Sequence, residues 1–171
     1  GSISIMALPL RGRRREAGLA APRKCPPGQP ASAAIREDRR VDPSPLTIPA
    51  LLAHSVRGFG ERTYVVTPTE RLTYAEADRR SAGLARWLHA QRVGKGTRVG
   101  LFFPNGTDWV IWWLAVSRIG AVAVPLSTMY RPAEIAKVVR LADVALLIAP
   151  DRILDIEPEF LAGDDHDHHH D

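Results

Sequence analysis

The sequence lacks most of the features that usually identify an enzyme. Cys25 is the single cysteine among 171 residues, so the chain forms no intramolecular disulfide and builds no metal site from paired thiols. A reducing compartment such as the cytoplasm suits this cysteine content. The sequence also has no Walker loop, no G-x-G-x-x-G fingerprint and no G-x-S-x-G nucleophile elbow. These absences exclude the commonest nucleotide-binding and hydrolase signatures.

An uninterrupted hydrophobic run is missing too. The most apolar stretch, residues 109–126, is broken in its middle by Ser117, Arg118 and Gly120. A bilayer needs about 20 apolar residues without a central charge. We therefore expect a buried helix followed by a strand here, and no transmembrane segment.

Positive charge is concentrated in residues 1–46, which hold nine Arg or Lys against four acids and seven of the fourteen prolines. This segment has no regular apolar face, so we predict a disordered basic arm. It lacks the aromatic residues that stack on bases, so we do not expect nucleic acid as a partner. No apolar stretch long enough for a secretory signal follows the arginines, while a translated leader, a misassigned start and a transit peptide remain open. Residues 164–171, rich in Asp and His, are predicted to be a second disordered segment.

Between these segments, residues 47–163 read as one α/β domain. Thr47 followed by Pro49 is typical of a helix start, and residues 63–66 and 71–74 suggest a small hairpin. Thr73 and Glu76 have the spacing of a capping box, which predicts a second helix ending near Gly94.

Three short apolar runs then alternate with helical patterns. The runs are Arg98–Phe103, Ala121–Pro125 and Val144–Ala149, and this alternation predicts a mostly parallel sheet with crossover helices. One of those helices, around Trp109–Val116, is apolar on all sides and must be covered on more than one side. A last incipient helix is expected over residues 153–161.

Few residues in this domain are candidates for catalysis, phosphate binding or metal binding. The turn Pro104-Asn105-Gly106 follows the first parallel strand but holds one glycine, too few backbone amides for a pyrophosphate, so we interpret it as a plain turn. His54 and His89 have no acid or thiol at ligand spacing and are expected on helix surfaces. The Asp/His-rich residues 164–171 could bind zinc or nickel, but their composition is equally consistent with a solvated tail. We predict no metal site.

Arg131 is the one candidate for ligand contact. It precedes Pro132 at a helix start, where a guanidinium and the helix dipole together could hold a phosphate. The alternative is a surface pair with Glu134.

The segment from Arg71 to Ile135 resembles the opening of adenylate-forming acyl-CoA synthetases, the AMP-binding ligases that include luciferases and peptide-synthetase adenylation domains. LTYAEA (72–77) stands at the first core motif of that family, with Ala77 where Leu is usual, and SRIGAVAVPLS (117–127) stands at the second. The resemblance covers roughly residues 47–155.

The resemblance implies an enzyme that joins a carboxylic acid to ATP, forming an acyl-adenylate, and then transfers the acyl group to coenzyme A, with Mg²⁺ assisting. It also implies that the phosphate loop and the catalytic Lys lie farther along such a chain, and nothing after Val144 resembles them. We therefore predict an inactive N-terminal portion of such a ligase with no catalytic residue of its own, which docks on the remainder of the enzyme. By the same resemblance, Arg131 would contact a phosphate of coenzyme A. A non-catalytic α/β interaction module with a basic arm is the alternative.

Overall fold

The computed structural model of the chain describes residues 3–8, 23–24 and 47–151. Within these ranges the chain forms a five-stranded sheet, a two-stranded hairpin and helices that cover them. In chain order the elements are β1 (Ile3–Ala7), β2 (Arg23–Lys24), α1 (Ile48–Phe59), β3 (Thr63–Val66), β4 (Arg71–Thr73), α2 (Tyr74–Ala90), β5 (Arg98–Leu101), α3 (Thr107–Arg118), β6 (Val122–Pro125), α4 (Pro132–Leu141) and β7 (Leu146–Pro150).

The large sheet has the strand order β2-β1-β7-β5-β6. β5 pairs in parallel with β6 on one side and with β7 on the other, which confirms the predicted parallel unit. The observed strands differ from the predicted ones by up to two residues at each end. The hairpin of β3 and β4 forms where it was predicted, with an irregular register between Thr63 and Val65.

The prediction that residues 1–46 lack structure is wrong for the first strand. β1 pairs antiparallel with β7, from Ile3 opposite Pro150 to Ala7 opposite Leu146, and β2 adds a short antiparallel pairing outside it. The physical reason is the apolar run Ile5, Met6 and Leu8, whose side chains are buried. The predicted domain boundary at residue 47 therefore excludes β1, whose side chains form part of the domain's hydrophobic core. The predicted helix over 153–161 and the Asp/His tail lie outside the described residues.

Two hydrophobic cores lie on opposite faces of the sheet. On one face α2 and α3 cover strand residues that include Val99, Leu101 and Ile148. On the other face α4 packs Ile135 and Val139 against the alternate strand residues, such as Leu147. Consecutive strand residues point to opposite faces, so continuous apolar runs are what a doubly covered sheet requires.

α3 is covered on two sides, as its all-round apolar sequence predicts. Trp112, Ala115 and Val116 face the sheet. Ile111 and Leu114 pack on the other side in a third cluster with Leu52, Leu72 and Ala77. None of the helices in the described part of the chain has the length and apolar character needed to cross a membrane.

Local hydrogen bonds set the helix ends. The Thr47 hydroxyl accepts from the Ala50 N–H at 3.3 Å, and the capping box at Thr73 and Glu76 forms as predicted. The helix predicted to end near Gly94 ends at Ala90, and it is Arg92, not Gly94, that takes a left-handed φ of +64° after it. Gly120, at φ +70°, follows the end of α3.

Candidate functional site

A topological switch point lies between the carboxyl ends of β5 and β6, because the connections that follow these two strands run to opposite faces of the sheet. The chain leaves β5 to form α3 on one face and leaves β6 to form α4 on the other. In open α/β sheets this topology opens a crevice beyond the strand ends, and ligands bind there. The loops of residues 102–106 and 126–131 border this crevice and form the candidate functional site.

Arg131 lies at the end of the second loop and is exposed. Its backbone N–H donates to the Glu134 carboxylate at 2.7 Å. The predicted partnership with Glu134 therefore forms, but through the backbone. Within the described residues the Arg131 guanidinium has neither an ion pair nor a hydrogen bond.

Residues 127–130 form a tight, exposed turn within the loop that borders this crevice. The Ser127 hydroxyl accepts from the Met129 N–H at 3.2 Å, and the Tyr130 N–H donates to the Ser127 carbonyl at 3.1 Å. The Met129 side chain is 87% exposed. With no acid between Leu126 and Pro132, this loop presents hydroxyls and one cation to solvent, a combination suited to an anion.

The loop after β5 is unsuited to phosphate. Gly106 caps α3 without a side-chain hydrogen bond, and the Glu70 carboxylate, which comes from the hairpin, accepts from the Thr107 hydroxyl at 2.5 Å. Because a negative charge already lies at the first turn of α3, a phosphate there would be repelled. This geometry agrees with the interpretation of Pro104-Asn105-Gly106 as a plain turn.

The electrostatics of Glu70 follow from its partners. The hydrogen bond from Thr107, followed by the one from the Arg80 guanidinium, holds the pKa of Glu70 below its ordinary value of 4.5. The Arg80 contact measures 2.8 Å. Sequence reasoning missed this cluster, because Glu70 and Thr107 are far apart in the chain and neither belongs to a motif.

Histidines and metal ligands add no chemistry to the described part of the chain. His54 and His89 are exposed on α1 and α2, as predicted. No group of three or more His, Cys, Asp or Glu that could hold a metal occurs among the described residues. The Asp/His tail lies outside them.

A shallow groove of about 460 Å³ runs between the end of α2 and the end of α3. It is lined by Ala82, Ala85, Arg86, His89, Ala90, Arg118 and Ile119. The Arg118 guanidinium in this lining is bound to the Asp78 carboxylate at 2.7 Å. With no nucleophile or carboxylate in its lining, the groove offers no catalytic arrangement.

Comparison with known families identifies the chain. Residues 52–170 match the family model described as AMP-binding enzyme. The chain belongs to the AMP-binding enzyme family. The two motifs that suggested the resemblance lie at the start of α2 and along the path from α3 to β6, so the second one leads directly into the crevice.

Individual relatives come from two kinds of AMP-binding enzyme. The putative acyl-CoA synthetase YngI of Bacillus subtilis (strain 168) is 33% identical over 107 residues, covering 61% of this chain and 20% of that protein. Syringomycin synthase SyrB1 of Pseudomonas syringae pv. syringae is 33% identical over 98 residues, covering 57% of this chain and 16% of that protein. The matched part of the chain thus spans a fifth or less of these relatives.

The fold agrees with a solved structure as well. The N-terminal subdomain of Klebsiella oxytoca NpsA superposes with a TM-score of 0.55 at 24% identity, over 57% of this chain and 26% of that one. The described part of the chain is therefore part of an N-terminal subdomain of the adenylate-forming fold.

Proposed function

We propose that this AMP-binding chain is the N-terminal part of an acyl-CoA synthetase, which converts a carboxylic acid through an acyl-adenylate into an acyl-CoA, and that it is inactive alone. The family and the relative named as a putative acyl-CoA synthetase support the reaction class. In this role the chain supplies one wall of the site, and ATP and Mg²⁺ bind to parts of the enzyme beyond the described residues. The loop after β6 has no glycine and the one after β5 has a single glycine, Gly106.

The observation that carries the coenzyme A assignment is the exposed Arg131 guanidinium at the border of the crevice, which has no ion pair or hydrogen bond among the described residues. Coenzyme A bears a 3′-phosphate and a pyrophosphate, and a guanidinium binds such groups through several N–H donors at once. The Glu134 carboxylate already lies at the first turn of α4, so the helix dipole adds little to this contact. The proposed contact therefore rests on the Arg131 side chain.

Inactivity of the chain alone is tested by incubating the purified 171-residue chain with ATP, Mg²⁺ and a panel of medium-chain and aromatic acids. Oriented groups that stabilise transferring phosphoryl charge each contribute several kcal/mol, on the order of 3 kcal/mol in measured cases, and the described residues supply none of them. Pyrophosphate release should equal the protein-free rate. Release above that rate, retained after a second purification, contradicts the proposal.

The coenzyme A contact is tested by titrating the ¹⁵N-labelled chain with coenzyme A and with dephospho-coenzyme A. Arg131→Ala should reduce the shifts of residues 127–135 several-fold. Arg140→Ala is the matched control, an exposed arginine about 14 Å away on the same helix, and should leave them unchanged.

The outcomes of this titration separate the candidate reactions. Weaker shifts with dephospho-coenzyme A support a contact with the 3′-phosphate. Equal responses of the two arginine variants refute the site. No response to either compound contradicts the proposed contact and argues against acyl transfer to coenzyme A.

A further inference from the structure

The groove between the ends of α2 and α3 combines an apolar floor with a basic rim. Its apolar lining consists of alanine side chains of α2 and of Ile119, which directly follows α3. Ala82 and Ala85 are only 5% and 6% exposed, so they form the floor. Because alanine side chains are short, about 460 Å³ stays open between the two helix ends.

Three basic side chains line the same groove, and they differ in their partners. Arg118 donates to the Asp78 carboxylate at 2.7 Å and to the Ser81 hydroxyl at 3.4 Å, so its position is fixed and its charge is balanced. Arg86 and His89 are exposed, and their side chains have neither an ion pair nor a hydrogen bond among the described residues. The rim therefore offers donors that no described part of the chain uses.

The sequence around the groove has an excess of positive charge. Residues 79–107 hold six Arg or Lys and no Asp or Glu, and residues 109–133 hold two Arg or Lys and again no acid. These two ranges supply every residue of the lining. A surface of one charge sign attracts a partner of the opposite sign and disfavours others.

The helix dipoles account for only part of this charge. Cations in the last turn of a helix interact favourably with the dipole, and His89 and Arg118 lie in the last turns of α2 and α3. Arg86 precedes the last turn of α2, and the dipole effect is confined to that turn. Its position at the groove is therefore not explained by stabilisation of its own helix.

The shape of the groove favours a protein segment as its occupant. A small-molecule site encloses most of its ligand in a concave cavity, whereas this groove is shallow. Its lining has no aromatic ring on which a nucleic-acid base could stack. A protein segment can place an apolar side chain on the alanine floor and an acidic side chain beside Arg86 at the same time.

We propose that this groove binds an acidic segment of a partner protein, with an apolar side chain of the segment on the alanine floor and an adjacent Asp or Glu paired with Arg86. His89 lies three residues farther along the same face of α2 and can donate a ring N–H to a second acidic group. Both helix ends lead to the amino ends of β5 and β6. The groove therefore lies at the opposite edge of the sheet from the crevice, and its occupation leaves the crevice open.

Titration of the ¹⁵N-labelled 171-residue chain with a short acetylated and amidated peptide, in which Leu residues are flanked by Glu, tests the proposal. We expect amide shifts within residues 82–90 and 118–120. Arg86→Ala should weaken binding at least several-fold, and Arg86→Lys should restore part of it, because the charge is kept. Arg79→Ala is the matched control, an exposed arginine about 10 Å away on the same helix, and should leave the affinity unchanged.

Two further peptides separate the contribution of charge from that of apolar contact. Gln in place of every Glu removes the charge, and Ser in place of every Leu removes the apolar anchor. Each should bind at least several-fold more weakly than the parent peptide. Equal binding of the Gln peptide would mean apolar adhesion alone, and equal losses from Arg86→Ala and Arg79→Ala would mean attraction by overall charge. Either result overturns the proposal.

The place of the shifts and a competing polyanion complete the test. Shifts confined to residues 126–135 would put the peptide at the Arg131 loop instead of the groove. A short oligodeoxythymidine that shifts the groove residues more strongly than the peptide would indicate phosphate recognition. Absence of any shift at peptide concentrations on the order of millimolar would mean that the groove has no useful affinity for acidic segments. Each of these three results also overturns the proposal.

Discussion

The Thr107 hydroxyl donates to the Glu70 carboxylate across 2.5 Å, and this hydrogen bond joins the hairpin to the first turn of α3. The second carboxylate oxygen accepts from Arg80 of α2 at 2.8 Å. Gly106, the N-cap residue of α3, has no side chain that could cap the helix. Glu70, which belongs to the hairpin, instead places a negative charge at the N-terminus of α3, where it interacts favourably with the helix dipole. One carboxylate therefore ties three elements together beside the candidate crevice.

Glu70→Gln should destabilise the chain at pH 7 by up to about 1 kcal/mol, because the carboxylate is part-exposed and solvent screens its charge. Since the folded pKa of Glu70 lies below its ordinary value of 4.5, its stabilisation is present above pH 4.5 and is lost as the pH falls through the folded pKa. Urea unfolding of the parent chain and of Glu70→Gln at pH 7 and pH 3 measures this difference in the free energy of unfolding. Glu61→Gln, at an exposed carboxylate, is the control. If Glu70→Gln lowers the free energy of unfolding by the same amount at pH 7 and pH 3, the assignment is contradicted.

Trp112→Ala should cost about 3–5 kcal/mol, the range for a buried aromatic residue. Trp112 is 1% exposed and its ring lies 6.4 Å from that of Phe103. Trp109→Ala, on the same helix, should cost clearly less, because Trp109 is half-buried and stacks on Trp113 at the edge of the core. Denaturant midpoints of the two variants test the order, and similar losses would show that the helix faces are wrongly assigned.

Gly100→Ala and Gly83→Ala should move stability in opposite directions. A Cβ at Gly100 would lie 3.1 Å from Leu147 Cδ1 and 3.2 Å from Val144 Cγ1, so the core must shift, at about 1–3 kcal/mol. A Cβ at Gly83, inside α2, meets only Arg86 Nη2 at 3.9 Å, so Ala should stabilise by about 0.5–1 kcal/mol. Thermal unfolding measures both, and a stabilising Gly100→Ala would refute the close packing of β5.

The ion pair of Asp78 and Arg118 should show measurable coupling between α2 and α3. Its atoms lie 2.7 Å apart with side chains 33% and 23% exposed, and the guanidinium also donates to the buried Ser81 hydroxyl at 3.4 Å. A double-mutant cycle to Ala should give about 1 kcal/mol. The matched cycle on Arg98 and Asp143, 3.6 Å apart and about half exposed, should give a few tenths at most, as exposed pairs do.

Elements with local signals were predictable from the sequence. The capping box forms two hydrogen bonds of 3.1 Å between Thr73 and Glu76, residues only three apart. The parallel pairing of β5 with β6 and β7 follows from continuous apolar runs separated by helices. In each case the pattern and its physical cause lie within the same short segment.

Elements decided by distant contacts were not predictable. Five residues such as Ile3–Ala7 have no strand tendency strong enough to stand out beside a basic, proline-rich sequence, and the pairing with β7 decides their conformation. Glu70 and Thr107 likewise meet only because the hairpin packs over α3. At Arg131 the sequence identified the residue and the neighbour, while the choice of the backbone N–H over the guanidinium depended on the loop geometry.

The position of β1 in the sequence also affects when this strand can fold during synthesis of the chain. The partner of β1, β7, is completed roughly 140 residues after it, which at about 5–20 residues synthesised per second is a wait of roughly 7–30 s. During that interval Ile5, Met6 and Leu8 have no core to enter, and pairing across so long a separation is intrinsically slow. β1 therefore pairs with β7 only after β7 has been synthesised, and β5 and β6 can pair with each other before it joins the sheet.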